Sequence, residues 1–297
     1  MQGRHTLLPF VAATLGIALF SLMDAMMKGA SLAVGAYSAM LVRSVFGVAM
    51  MLPLWWLRGG AWPDGAALRL HALRGAVSAA MATSFFWALT ILPLAEGIAL
   101  SFIAPLIALY LAAVVLGEKI TRGAIGGSLM GLAGVVVIAA ARLGEQDMGR
   151  ESALGVAAVL VSAVFYAVNL VLQRKQALMA GPVEVALFQS VFCGLFLGLF
   201  APWWLVVPDA GAAGQIAMSA ALAAISLMLL SWAYGRAEAQ ALLTVEYTAF
   251  IWASLMGWLM FGEKVTGATV AGVVLIVIGC WIAARHGRAE HSEQTAL

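Results

Sequence analysis

Apolar runs of about twenty residues follow one another along nearly the whole chain, separated only by short turns. That pattern leaves the backbone few options. In hydrocarbon each N–H and C=O must find its partner within the protein, so such runs cross a bilayer as helices. Reading the runs and their breakers gives ten candidates: 7–29, 34–57, 68–92, 96–116, 122–141, 152–173, 184–206, 212–236, 239–261 and 266–284. The joints carry turn chemistry, as at Arg58-Gly59-Gly60, Pro63-Asp64-Gly65, Gly181-Pro182 and Pro208-Asp209. The expected class is an all-α polytopic membrane protein. Composition agrees, because 64% hydrophobic and 10% charged residues are too apolar a mixture for a water-soluble domain. A net charge of +2 and the lack of a long basic run argue against a nucleic-acid partner.

The first run, from Leu7 to about Met27, is longer than a signal-peptide core and belongs to the repeat described below, so it reads as a retained membrane helix. The polar tail after Arg285 reads as disordered. Ten crossings put both termini on one side. With the termini in the cytoplasm, eleven basic residues face inside and four (Lys28, Arg142, Arg150 and Lys264) face outside, while Arg43 falls within a span. Arg74 is counted among the inside residues. This distribution obeys the positive-inside rule, and the opposite topology violates it.

The chain also repeats itself. Shifted by 145 residues, GEKIT at 117–121 falls on GEKVT at 262–266, Trp87-Ala88 on Trp232-Ala233, Gly127 on Gly272 and Asp24 on Asn169. With one further residue of shift, Arg43 falls on Gln189. The expected units are a first five-helix repeat over 1–145, a second over 146–285, and a cytoplasmic tail over 286–297. Five crossings is an odd number, so the second copy enters the membrane upside down. Inverted repeats of this kind are typical of secondary transporters, whose substrate sites lie near the midplane between the halves, and channels carry them too, so the repeat favours transport without separating carrier from pore. The glycines Gly123, Gly127 and Gly131, spaced by four, suit close helix packing within one copy of the protein. In each GEK turn, Gly is suited to a left-handed helix cap, Glu and Lys to water, and Thr121 or Thr266 to capping the next helix. Cys193 and Cys280 read as small packing residues.

The ten-span layout, the LGEK and FGEK span ends, and the stretches LPLAEGIALSFIAPLIALYLAAVVLGEKIT and VEYTAFIWASLMGWLMFGEKVT resemble the EamA-type branch of the drug/metabolite transporter superfamily. The resemblance covers the whole chain. It implies a carrier of small organic solutes in a bacterial inner membrane, with a cavity lined by both halves. Members export amino acids and their analogues or import cofactors and nucleotide-like metabolites. Efflux of amino acids or related compounds is the leading expectation, and uptake of a flat vitamin or adenosyl compound is the alternative. The chain departs from internal symmetry at Pro105, which matches Phe250 in the second copy.

An ionisable residue inside a span is a candidate for function because burying charge in a bilayer is costly. Asp24 and Lys28 share a helix face, and Arg43 enters from the same side. An Asp24–Arg43 or Asp24–Lys28 pair would pin spans one and two together. Unpaired, Asp24 and Arg43 would form a charged lip, with the Arg43 guanidinium offering a fork to a carboxylate. Glu246, whose repeat-mate is Ser101, is a candidate proton carrier or amine ligand. Glu96 reads as a solvated helix-start residue. Trp87 and Trp232 at matched positions, with Tyr166 and Tyr247, are candidates for stacking on substrate. Asn169, Gln173 and Gln189 either bind solute or tie helices together. Pro105 reads as a kink or hinge in span four.

No HExxH helix, GxSxG elbow or phosphate-binding glycine loop appears, and the four histidines read as loop or tail residues. An enzyme is therefore not expected, nor a metal or cofactor. The expected partners are a small-molecule substrate and the lipid bilayer, with proton coupling open to Glu246.

Overall fold

The computed structural model describes residues 4–116, 122–143, 149–177, 179–234, 236 and 245–294. Among these, all regular structure is helical: α1 (Arg4–Val34), α2 (Ala36–Leu57), α3 (Gly65–Leu89), α4 (Leu94–Ser101), α5 (Ala104–Leu116), α6 (Arg122–Leu143), α7 (Gly149–Ala177), α8 (Pro182–Gly198), α9 (Ala201–Trp204), α10 (Ala210–Tyr234), α11 (Ala249–Phe261) and α12 (Gly267–Gln294). Six helices are long and apolar enough to cross a membrane, and four shorter apolar helices cover 94–108, 182–198, 249–261 and 267–282. The ten expected crossings are thus reached only in part by unbroken helices. The polar tail differs from expectation as well, since α12 continues through Gln294.

The duplication is written into the helix boundaries. Gly65 and Ala210 each open a helix 145 residues apart, as do Ala104 and Ala249, and Arg122 and Gly267. The packing exchanges in the same way. α1 lies against α10 while its repeat-mate α7 lies against α3, α2 lies against α8, and α6 lies against α12. Equivalent helices α6 and α12 run antiparallel, which is the inversion seen directly. A Cβ on Gly134 would stand 2.4 Å from the Gly272 carbonyl oxygen, and one on Gly279 would stand 2.4 Å from that of Gly127. The glycines let the two backbones approach within one chain, where lipid supplies no hydrophobic force to draw helices together.

The turn after α11 has the geometry foreseen for its glycine and threonine. Gly262 takes φ +67, with its N–H donating to Trp258 O at 3.0 Å and that of Glu263 to Gly257 O at 3.1 Å. The bond from Gly262 to Trp258 is that of an αL cap. Thr266 Oγ1 accepts from Thr269 N at 3.1 Å and caps α12. Glu263 departs from expectation. Its side chain is 16% exposed and turns inward to pair with Lys28. The matching turn at 117–121 lies outside the described residues.

Candidate functional site

Two interrupted spans meet between the repeats. α4 ends at Ser101 and α5 starts at Ala104, so Phe102 and Ile103 form a turn within the span. At the equivalent place in the second copy, Tyr247 and Thr248 form a turn before α11. The same short bonds recur, Ile103 N to Leu100 O at 3.3 Å and Thr248 N to Val245 O at 2.9 Å. The rings of Phe102 and Tyr247 pack edge to face, with centroids 5.5 Å apart. Pro105 lies in the first turn of α5, where a missing N–H is tolerated, and the second copy breaks its span with Phe250 in that place. There the Thr248 hydroxyl donates to Val245 O at 2.6 Å, a local bond that competes with the helical ladder. In the first copy the Cys280 thiol donates to the Phe102 carbonyl at 3.5 Å.

Four of the candidate residues converge beside this meeting point. Tyr166 on α7 lies within electrostatic reach of both Asp24 on α1 and Glu246 just before the second break. Asp24 in turn lies within reach of Arg43 on α2. Asp24 forms neither of the expected ion pairs, with Arg43 or with Lys28. The Arg43 Nε is buried without a hydrogen-bond partner, and its Nη1 reaches only Met40 Sδ at 4.0 Å. One guanidinium and two carboxylates, contributed by both repeats, are thus linked electrostatically through Tyr166 and Asp24. Chemically this set suits a solute carrying both a carboxylate and an ammonium group.

The remaining candidates are placed as follows. Tyr247 forms the ring contact at the break, and Ser101, the last residue of α4, donates to Gly97 O at 2.8 Å. The matched tryptophans sit in unlike surroundings: Trp232 packs on Ala13, Ile17 and Val245 under the Arg236 guanidinium, whereas Trp87 is 42% exposed. Asn169 and Gln189 tie helices together. Asn169 Oδ1 accepts from Ser78 Oγ at 3.2 Å, which accepts from Gln189 Nε2 at 3.3 Å.

Three polar groupings were not foreseen. The first is a buried chain across α3, α7 and α8. Arg74 Nε donates to Asn169 Oδ1 at 3.0 Å and its Nη1 to Gln176 Oε1; Gln176 donates onward to His71 Nδ1, and His71 Nε2 donates to Glu184 at 3.2 Å. His71 is therefore inside α3 and buried, not in a loop, and Arg74, counted with the cytoplasmic charges, is buried in the same helix. Asp64, in the turn read from the sequence, accepts from Ala67 N at 2.7 Å and starts the helix at Gly65. The second joins Lys28 to Glu263 and to Leu92 O at 2.7 Å, while Glu263 Oε2 accepts from Leu94 N at 2.7 Å. The third is Glu96, which is buried rather than solvated and faces Arg142 Nε at 3.5 Å and Thr269 Oγ1 at 3.4 Å.

Two helical repeats with interrupted spans meeting between them define a membrane transporter architecture. The sequence profile of the EamA-like transporter family matches residues 8–140 and 153–285, and the chain belongs to that family. It is a multi-pass membrane protein. The chain is similar to the pseudopaline exporter CntI of Pseudomonas aeruginosa, 24% identical over 262 residues that cover 88% of this chain and 90% of the exporter. It is also similar to the aromatic amino acid exporter YddG of Ancylobacter novellus, 28% identical over 67% of this chain and 70% of that protein. A solved crystal structure superposes with a TM-score of 0.62 at 23% identity, covering 97% of this chain and 99% of the other, which supports the fold.

Proposed function

We propose that the protein is a secondary exporter of amino acids or related zwitterions across a bacterial inner membrane, with both termini cytoplasmic. The observation that carries this reading is the meeting of the two span breaks at Phe102 and Tyr247, flanked by Asp24, Arg43, Tyr166 and Glu246. Broken spans leave backbone groups available at mid-membrane depth, and the repeats rock about that seam to expose it alternately. Arg43 receives the substrate carboxylate, and Asp24 and Glu246 receive its ammonium. Glu246 also carries a proton in the coupled half-cycle. The Phe102–Ile103 turn serves as the hinge of span four, with Pro105 just after it in the first turn of α5. Similarity to two exporters of small organic solutes supports the direction of transport.

The test is counter-flow in proteoliposomes with a panel of labelled amino acids, vitamins and adenosyl compounds. Saturable exchange of amino acids is expected. Exchange confined to the flat metabolites would favour an uptake carrier, unsaturable flux would favour a pore, and no movement of any solute would overturn the reading.

A further inference from the structure

Arg74 is 5% exposed, deep in a helix bundle, and has no acidic partner. Nine residues into α3, it stands about 13 Å along the helix from Gly65. Its two bonded nitrogens face neutral oxygens, those of Asn169 and Gln176. Its third nitrogen, Nη2, makes no hydrogen bond among the described residues. No carboxylate in the described residues lies within 4.0 Å of the guanidinium, and Glu184 is engaged one step away, by His71. A desolvated guanidinium without a counter-charge is costly, and the side chains around it do not neutralise it.

The internal symmetry gives this residue its meaning. Asn169 is the repeat-mate of Asp24, and Gln189 is the repeat-mate of Arg43. The charged station of the first copy thus has a neutral counterpart in the second, made of Asn169, Ser78 and Gln189, to which Arg74 supplies a single positive charge. Tyr166 and Asn169 are three residues apart on α7 and share a face, so this counterpart adjoins Tyr166, which lies within electrostatic reach of Asp24 and Glu246.

We infer that Arg74 is a second anion station of the carrier, binding the carboxylate of the solute through its free nitrogen while Asn169 and Gln176 hold the guanidinium plane in place. The inference rests on the zwitterion-exporter reading and deepens it. A carboxylate is required of the solute, and it meets Arg74 at the end of the seam nearer the chain termini and Arg43 at the other.

Asn169→Asp supplies an internal carboxylate of the same shape at 3.0 Å from Arg74 Nε, as the repeat already does at Asp24. Counter-flow is measured for amino acids, each beside its carboxamide, in wild type, Asn169→Asp and Arg74→Gln, with thermal unfolding as a fold control. In wild type the free acids are expected to exchange at least about tenfold faster than the carboxamides. In Asn169→Asp, exchange of the free acids is expected to fall at least about tenfold with the melting temperature retained or raised. Arg74→Gln is expected to lose the preference for acid over amide. If folded Asn169→Asp exchanges amino acids at the wild-type rate, or if folded Arg74→Gln keeps the preference for acids over amides, Arg74 is only a tie between α3 and α7. The exporter reading would survive that result. If neither acids nor amides move, the exporter reading fails and this inference falls with it.

Discussion

Lys28 on the first span pairs with Glu263, which lies 235 residues away in the turn between α11 and α12. The contact joins the two repeats at the end of the bundle opposite the chain termini. Glu263 also accepts from the backbone of Leu94, so one carboxylate links α1, the start of α4 and the α11–α12 turn. Room for it comes from Gly257, where a Cβ would stand 2.5 Å from Glu263 Oε2.

Removing one member of that buried pair leaves the other charge without its partner. Glu263→Gln is expected to cost about 3 kcal/mol. The double change Lys28→Met with Glu263→Met is expected to recover part of that loss, since no orphaned charge remains. Thermal unfolding of the purified variants measures both, and equal losses in the single and double variants would argue against the pairing.

Gly134→Ala is expected to destabilise the protein by about 2 kcal/mol, because the added methyl meets the Gly272 backbone at 2.4 Å, and a carbonyl in a helix cannot swing aside. Gly198→Ala, where nothing lies within 4 Å, serves as the control and is expected to leave the melting temperature unchanged.

Glu246→Gln is expected to flatten the pH dependence of transport, because the amide cannot take up the proton assigned to the carboxylate. The measurement is the initial rate of counter-flow and of uphill efflux across a pH series. A variant whose pH profile matches wild type would remove the proton-carrier role.

Pro105→Ala is expected to transport at close to the wild-type rate. The second copy holds the same interruption with Phe250 in that position, so the turn at Phe102 and Ile103 persists without the ring. Loss of transport in a folded Pro105→Ala variant would return the hinge to the proline itself.

Much of the architecture was legible because lipid imposes it. A bilayer obliges apolar runs to become helices, and duplication prints its register in residues such as Trp87 and Trp232 even after their surroundings have diverged. The Gly262 cap and the Thr266 cap could be anticipated too, since each depends on neighbours within a few residues. Glu263 was misread because the same local pattern suits a solvated turn. Its partner is fixed by how α1 approaches from the other repeat.

Determined by the sequence alone were the membrane class, the two-repeat duplication and the family, all of which rest on periodicity, composition and local motif. Tertiary structure decided which polar groups meet. It turned Lys28 from Asp24 to Glu263, took Asn169 into a network with Arg74, carried His71 from an assumed loop into a helix, and left Arg43 beside Asp24 without an ion pair. The physical reason is range. A helix or a cap is set by residues a turn apart, whereas a buried charge is satisfied by whichever helix packs against it, and that choice is made only when the two halves close on one another.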